Sequence, residues 1–336
     1  MKLPIAKPGD KVLLVEGGGM KGAFAGGVLT TLNTQLPAQN FQLIVAVSSG
    51  ACSAAYYAST KQPQPERGEL LLNIWRWELA GKRLIWIFNP LKRRSLLDQK
   101  FLVDHLFAEK YPMERENFGD KDLPEFRIAA TNLKTLSVEY VKATSENIFD
   151  LLKAATSLPI ATKGRHMVDG TLYSDAAILN PLPINDLIES GYKDITVIMN
   201  SPLDQVSAPL RAFTRFLAFP VNRKISRLMK ELHHFHFNHN RNLASLPPEG
   251  VRIRIIAPES ELPVGLVTTK QELLSATVEL GKQKGWEFIQ KFGSEFLQKK
   301  EKRPAKKSLS GSKNSAPISK KSGLGLKKKK KASLKS

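Results

Sequence analysis

Cysteine is almost absent from this 336-residue chain. Cys52 stands alone, so no internal disulfide can form and the fold rests on packing. That composition suits a reducing compartment. Long apolar runs are missing as well: no stretch reaches the ~18 uninterrupted apolar residues of a membrane-spanning helix. Met1–Lys11 has no apolar core of the kind a secretory signal carries, so none is expected. The expected place is the cytoplasm or the periphery of a membrane, with export that needs no cleaved signal left open. Acids are missing where one class of binding site would need them, since no Asp or Glu occurs between Gly17 and Pro65.

Positive charge, by contrast, is plentiful and unevenly spread. The formal net charge is +20, and residues 298–336 hold 15 Lys/Arg against the single acid Glu301. That segment is rich in Lys, Ser, Gly and Pro and poor in large apolar residues, so it cannot bury enough surface to offset the entropy of ordering. Two regions are therefore expected: a folded domain over 1–297 and a disordered basic tail over 298–336. Lys327–Lys331 suits an anionic membrane surface as well as it suits plain solubility. Specific nucleic-acid recognition is not expected, because no aromatic residue interleaves the tail to stack on bases.

The rest of the chain alternates apolar runs with helical patterns. Lys11–Glu16 reads as a buried strand and Met20–Gln35 as the helix after it. Phe41–Val47 is a second strand, running into a small-residue helix over Cys52–Ala58. Further strands are expected over Phe126–Thr131, Val138–Ala143, Ile195–Met199 and Val251–Ala257. Helices are expected over Glu69–Leu79, Leu97–Lys110, Ile148–Ala155, Pro181–Ser190 and Thr269–Phe292. Leu210–Leu243 reads as basic and helical in pieces, and Val168–Ala177 as a turn region. Strand–turn–helix at this spacing predicts an α/β fold with a mostly parallel central sheet between helices.

Three stretches carry chemistry. The first is Glu16-Gly17-Gly18-Gly19-Met20-Lys21-Gly22, between strand and helix. Glycines there let backbone N–H groups face a ligand at the positive end of a helix dipole, which makes a site for negative charge. The charge is either a bound phosphate or an oxyanion formed during reaction. Gly17-x-Gly19-x-x-Gly22 matches the dinucleotide fingerprint, yet that reading wants an acid about 20 residues on for the ribose, and none exists. No Gly-Lys-Ser/Thr follows either, which excludes a P-loop.

The second is Ala46-Val47-Ser48-Ser49-Gly50. A serine on a sharp strand-to-helix turn has its Oγ thrust out of the sheet and needs small residues two before and two after, here Ala46 and Gly50. An ordinary helix N-cap is the competing reading. The third is Asp175, ahead of Ala176-Ala177-Ile178-Leu179-Asn180-Pro181-Leu182-Pro183. None of the six histidines sits where a triad base is expected, so a buried carboxylate acting directly on the serine is the alternative base. A turn aspartate capping local N–H groups is the competing reading. His233-His234-Phe235-His236-Phe237-Asn238-His239 lacks the acidic company of a zinc hydrolase, so no metal site is expected there. Cys52 reads as packing.

Taken together, the three stretches resemble the patatin-like phospholipase family, its bacterial branch in particular. Gly17, Gly18, Gly19 and Gly22 match its oxyanion-hole segment. Ser48 matches the nucleophile of its Gly-x-Ser-x-Gly elbow. Asp175 matches the aspartate of its Asp-Gly-Gly/Ala motif and is preferred over Asp169, because Asn180-Pro181-Leu182-Pro183 follows in register. This chain departs from the pattern with Glu16 for Asp, Lys21 for Arg, Ala46 for the first elbow glycine and Ala176 for the glycine after the aspartate. The resemblance implies a three-layer α/β/α fold. It also implies acyl hydrolysis of glycerophospholipid or lysophospholipid by a Ser48–Asp175 dyad, without metal or cofactor. A transacylase and a catalytically weak lipid- or partner-binding relative are the alternatives. Leu84–Pro90, with Trp86 and Phe88, reads as either an interfacial or a buried connecting segment. The basic side chains Arg211, Arg215, Arg223, Lys224, Arg227 and Lys230 read as either headgroup-attracting or merely solvated.

Overall fold

The structure is a computed structural model and describes residues 2–297 apart from 62, 87, 90–94, 160 and 208–222. The tail expected over 298–336 lies outside the described residues, as do Arg211, Arg215 and part of the Leu84–Pro90 segment. Strand β1 (Lys11–Val15) is buried along its whole length and sits at the centre of the sheet. It pairs in parallel with β2 (Leu43–Val47) on one edge and with β7 (Asp194–Ile198) on the other. β8 (Arg252–Ile256) extends the sheet beyond β7, and β3 (Glu125–Asn132) extends it beyond β2, both in parallel. Continuous apolar runs such as Leu-Ile-Val-Ala-Val are what strands covered on both faces require. Side chains alternate accordingly. Leu13, Val15, Ile44, Ala46 and Ile128 enter one core, while Val12, Leu14, Val45, Val47 and Ala129 enter the other.

Helices complete the two outer layers. On the first face lie α1 (Gly22–Gln35), α2 (Ser49–Ser59), α3 (Pro65–Asn73), α4 (Ile148–Ala155) and α7 (Gln271–Leu297). On the second lie α5 (Ile184–Glu189) and α6 (Arg223–Ser245). The α1–α7 crossing is very close: a Cβ at Gly281 would stand 2.1 Å from the Phe24 carbonyl oxygen, and one at Gly27 would stand 2.2 Å from that of Val278.

One end of the sheet is antiparallel, and it decides where the site lies. β4 (Ser137–Lys142) pairs with Arg127–Asn132 of β3. β2 pairs with Glu125–Ala129 of the same strand, and β6 (Thr171–Asp175) with Ala130–Asn132. A residue offers only two edges, so β2 and β6 share the edge opposite β4, end to end. Because β6 runs antiparallel, the carboxyl ends of β2 and β6 meet. The turn region expected over Val168–Ala177 is in fact a hairpin, β5 (His166–Val168) with β6, closed by Asp169 and Gly170 at positive φ. Asp-Gly is a favoured two-residue hairpin turn. Two helices are also wound differently from expectation. Glu69–Leu79 splits into α3 and a π-turn over Ile74–Glu78, and Lys100–Lys110 is π-helical throughout.

Candidate active site

Ser48 is the residue after β2 and the cap of α2, at φ 52° and ψ −132°. A non-glycine residue held there is strained, and such strain persists only where surrounding structure enforces it. Here the enforcing contact is visible. Gly50 runs so close under the preceding loop that a Cβ would stand 2.4 Å from the Glu16 carbonyl oxygen and 3.0 Å from that of Val15. Ala46 is different: it lies inside β2 and points into the first core, where its methyl is accommodated. The departure from glycine at position 46 therefore leaves the turn intact.

Asp175 arrives from the other strand of the seam. Val47 is paired with Ala129 and Asp175 with the next residue, Ala130, so Ser48 and Asp175 are brought side by side. Ser48 Oγ donates to Asp175 Oδ2 at 2.6 Å, and the Ala177 N–H donates to Oδ1 at 2.8 Å. The aspartate is fully buried, its own N–H bonded to the Ser157 carbonyl and its carbonyl to Thr131 Oγ. Burial pushes its pKa from 3.8 up to about 7, against the two hydrogen bonds that pull it down. Asp169, the alternative, caps the β5–β6 turn and accepts from Asn147, away from Ser48.

The glycine loop faces the same point. A Cβ at Gly17 would stand 2.8 Å from Ser48 Cβ. Gly18 and Gly19 adopt φ of 148° and 56°, and among the described residues no acceptor meets their N–H groups. Gly22 is placed otherwise. Its N–H bonds back to Gly19 and Met20 carbonyls, and its bare Cα makes room for Ser49 Oγ and the Trp75 ring.

Residues the sequence reading passed over hold this loop. Asn200, just past β7, donates from Nδ2 to the Glu16 and Gly17 carbonyls at 2.7 and 3.1 Å, and accepts from the Ala25 N–H. Its own N–H donates to Glu16 Oε2, and Arg241 Nη1 of α6 donates to Glu16 Oε1 at 3.0 Å. Arg241 also bonds Ser201 Oγ and lies over the Phe237 ring. Position past the carboxyl end of a parallel strand is the signal that marks Asn200. Arg241 had no such signal: it closes a basic stretch whose other described cations, Lys224, Arg227 and Lys230, are exposed.

A cavity of about 600 Å³ opens over Ser48. Leu71, Ile74, Leu84, Leu102 and Phe107 are among its lining residues, as are Met229, His233 and Phe237 of α6. Burial lowers the His233 pKa, with His234 as the second cause, so the ring facing the cavity is neutral. Cys52 also borders the cavity. Burial first and the Asp175 charge second push its thiol up to about 12, which leaves it an inert packing group. Among the described residues, no group of three or more His, Cys, Asp or Glu is placed to hold a metal ion.

A hydroxyl on a strained turn, bonded to a buried carboxylate beside open amides at the carboxyl end of a parallel sheet, is the arrangement these elements define. The patatin-like phospholipase profile matches residues 13–188, and the chain belongs to that family of lipid acyl hydrolases. A curated relative, the uncharacterized protein YjjU of Escherichia coli K12, is 22% identical over 300 residues, covering 87% of this chain and 81% of its own. Among solved structures, VipD from Legionella pneumophila aligns over 86% of this chain and 70% of its own, with a TM-score of 0.40 and 14% identity. Among the described residues, no helix is long and apolar enough to cross a membrane.

Proposed function

We propose that the chain is a lipid acyl hydrolase of the phospholipase A or lysophospholipase type, with Ser48 as nucleophile and Asp175 as its base. The 2.6 Å hydrogen bond from Ser48 Oγ to a fully buried carboxylate carries the reading. With a pKa of about 7, Asp175 can take the serine proton near neutral pH. Oγ attacks the ester carbonyl, and the oxyanion is received by the N–H groups of Gly18 and Gly19, with Gly17 giving the space. Removing one such donor typically costs about 10²–10³ in rate. The protonated Asp175 then returns its proton to the departing alcohol. Water, deprotonated by the same carboxylate, releases the fatty acid from acyl-Ser48. The apolar side chains lining the cavity suit an acyl chain, which fits a glycerophospholipid or lysophospholipid substrate.

The test is direct. Wild type should release fatty acid from a phospholipid panel and label with a fluorophosphonate. Ser48→Ala and Asp175→Asn should do neither, with unchanged circular dichroism. Fatty-acid release by pure Ser48→Ala would reject the scheme.

A further inference from the structure

The cavity mouth is bordered by loops that carry exposed apolar side chains. Leu266 and Val267 line the cavity and are also 63% and 62% exposed. Val206, next to the lining residue Gln205, is 78% exposed. Phe88, three residues past the lining residue Ile85, is half exposed. Exposed apolar side chains scattered singly mean little, but Leu266 and Val267 line the cavity and face solvent at once, which puts an apolar contact surface at its opening.

The loop holding two of them is built to present them. Gly265 N–H donates to Thr268 Oγ1 at 2.9 Å, closing a tight turn with Leu266 and Val267 at its tip. The Gly81 N–H bonds the Thr269 carbonyl, tying the turn to the segment that leads to Lys82. The Met20 N–H bonds the Leu266 carbonyl at 3.0 Å, and that carbonyl lies where a Cβ on Gly19 would be. The turn is thus joined to the glycine loop beside Ser48.

Charge round the rim favours one kind of surface. Lys21 lines the cavity, and Lys82, Lys163 and Lys270 lie exposed on the bordering loops. None of the four makes an ion pair among the described residues. The acids on these segments are Asp98, Asp204, Glu259 and Glu261, with Glu272 in the first turn of α7; Glu259 is paired with Lys284. Apolar tips flanked by lysines that no carboxylate among the described residues neutralises suit a surface with an apolar interior and anionic headgroups.

We infer that Leu266, Val267, Val206 and Phe88 form a docking rim that seats the cavity mouth on an anionic lipid surface, with Lys21, Lys82, Lys163 and Lys270 facing its headgroups. The choice of lipid as occupant rests on the acyl-hydrolase reading, while the binding it describes does not require catalysis.

The experiment uses the full chain and phosphatidylcholine vesicles with or without phosphatidylglycerol. Val267→Cys carries an environment-sensitive dye; Cys52 is buried and does not compete. Ile5→Cys is the control, at 86% exposure and ahead of the amino end of β1, opposite the site. On phosphatidylglycerol vesicles the Val267 dye should shift to the blue and the Ile5 dye should not. A Val267 dye that keeps its aqueous emission overturns the inference, even where the protein cosediments, because another surface is then doing the binding. Equal shifts at both positions overturn it too. Leu266→Asp combined with Val206→Asp should weaken vesicle binding by about tenfold or more, and unchanged binding counts against the rim. Hydrolysis of a water-soluble ester by the wild type reports separately on the Ser48 reading. A live esterase with no dye shift removes the rim alone, and a dye shift with no esterase removes the chemistry alone.

Discussion

At the scale of single residues, the main tension is at Asp175. Its folded-state pKa of about 7 lies above the 3.8 of an unfolded chain. Between those values the folded state holds a proton that the unfolded state has lost, so stability falls as pH rises across that window. Asp175→Asn removes the ionisable group. Its melting temperature should exceed that of wild type at about pH 8, and the gap should close as pH drops toward about 4. For the wild type, kcat/KM for a soluble ester should fall as pH drops through about 7, since the base we propose must be ionised. A flat profile there would detach Asp175 from the reaction. Gly50 and Ala46 give a second residue-scale test. Gly50→Ala places a methyl against two backbone carbonyl oxygens that cannot swing away. It should cost on the order of 1–3 kcal/mol in urea denaturation. Ala46→Gly restores the common elbow pattern and should cost only about 0.5–1 kcal/mol, the usual penalty for glycine inside a strand. Equal costs would mean the turn is not held as described.

Among elements, α6 and β7 together position the glycine loop. The buried Glu16–Arg241 pair joins the end of β1 to α6, and Asn200 joins the same loop to β7 and α1. Cutting one partner of a buried pair leaves a charge without compensation, which costs about 3–5 kcal/mol. Arg241→Met should therefore lower the unfolding free energy from urea denaturation by an amount in that range, and the midpoint with it. Adding Glu16→Gln to it should recover part of the loss, because the stranded charge is gone. An unchanged midpoint in Arg241→Met would show that the pair contributes nothing. Esterase activity should drop in Arg241→Met even where the protein stays folded, since Glu16 also receives the Asn200 N–H that fixes the loop.

On the scale of the whole molecule, the matched family region ends at residue 188, but the sheet does not. β7 and β8 cover the second edge of β1, α6 and α7 pack on opposite faces, and the loop after β8 brings Leu266 to the mouth. A chain ending at Glu189 should give no cooperative thermal transition, because β1 would become an unprotected edge. We also propose that 1–297 is an independent domain, so that removing 298–336 leaves the melting temperature and esterase activity unchanged; a fall in either would tie the tail to the fold. Much of this was legible in the residues alone. Apolar runs punctuated by glycine and proline marked β1–β4, β7 and β8 but not the β5–β6 hairpin, because burial on both faces demands such runs and a short antiparallel hairpin does not. The glycine loop, Ser48 and Asp175 could each be picked out, because each needs a particular residue type locally. What local chemistry could not decide was their meeting. That depends on β2 and β6 abutting on one edge of β3, a pairing between segments far apart in sequence. Burial is likewise a property of the assembled layers, and only it turns Asp175 from an ordinary turn carboxylate into one with a pKa near neutrality, and turns Arg241 from one more surface cation into the partner of Glu16.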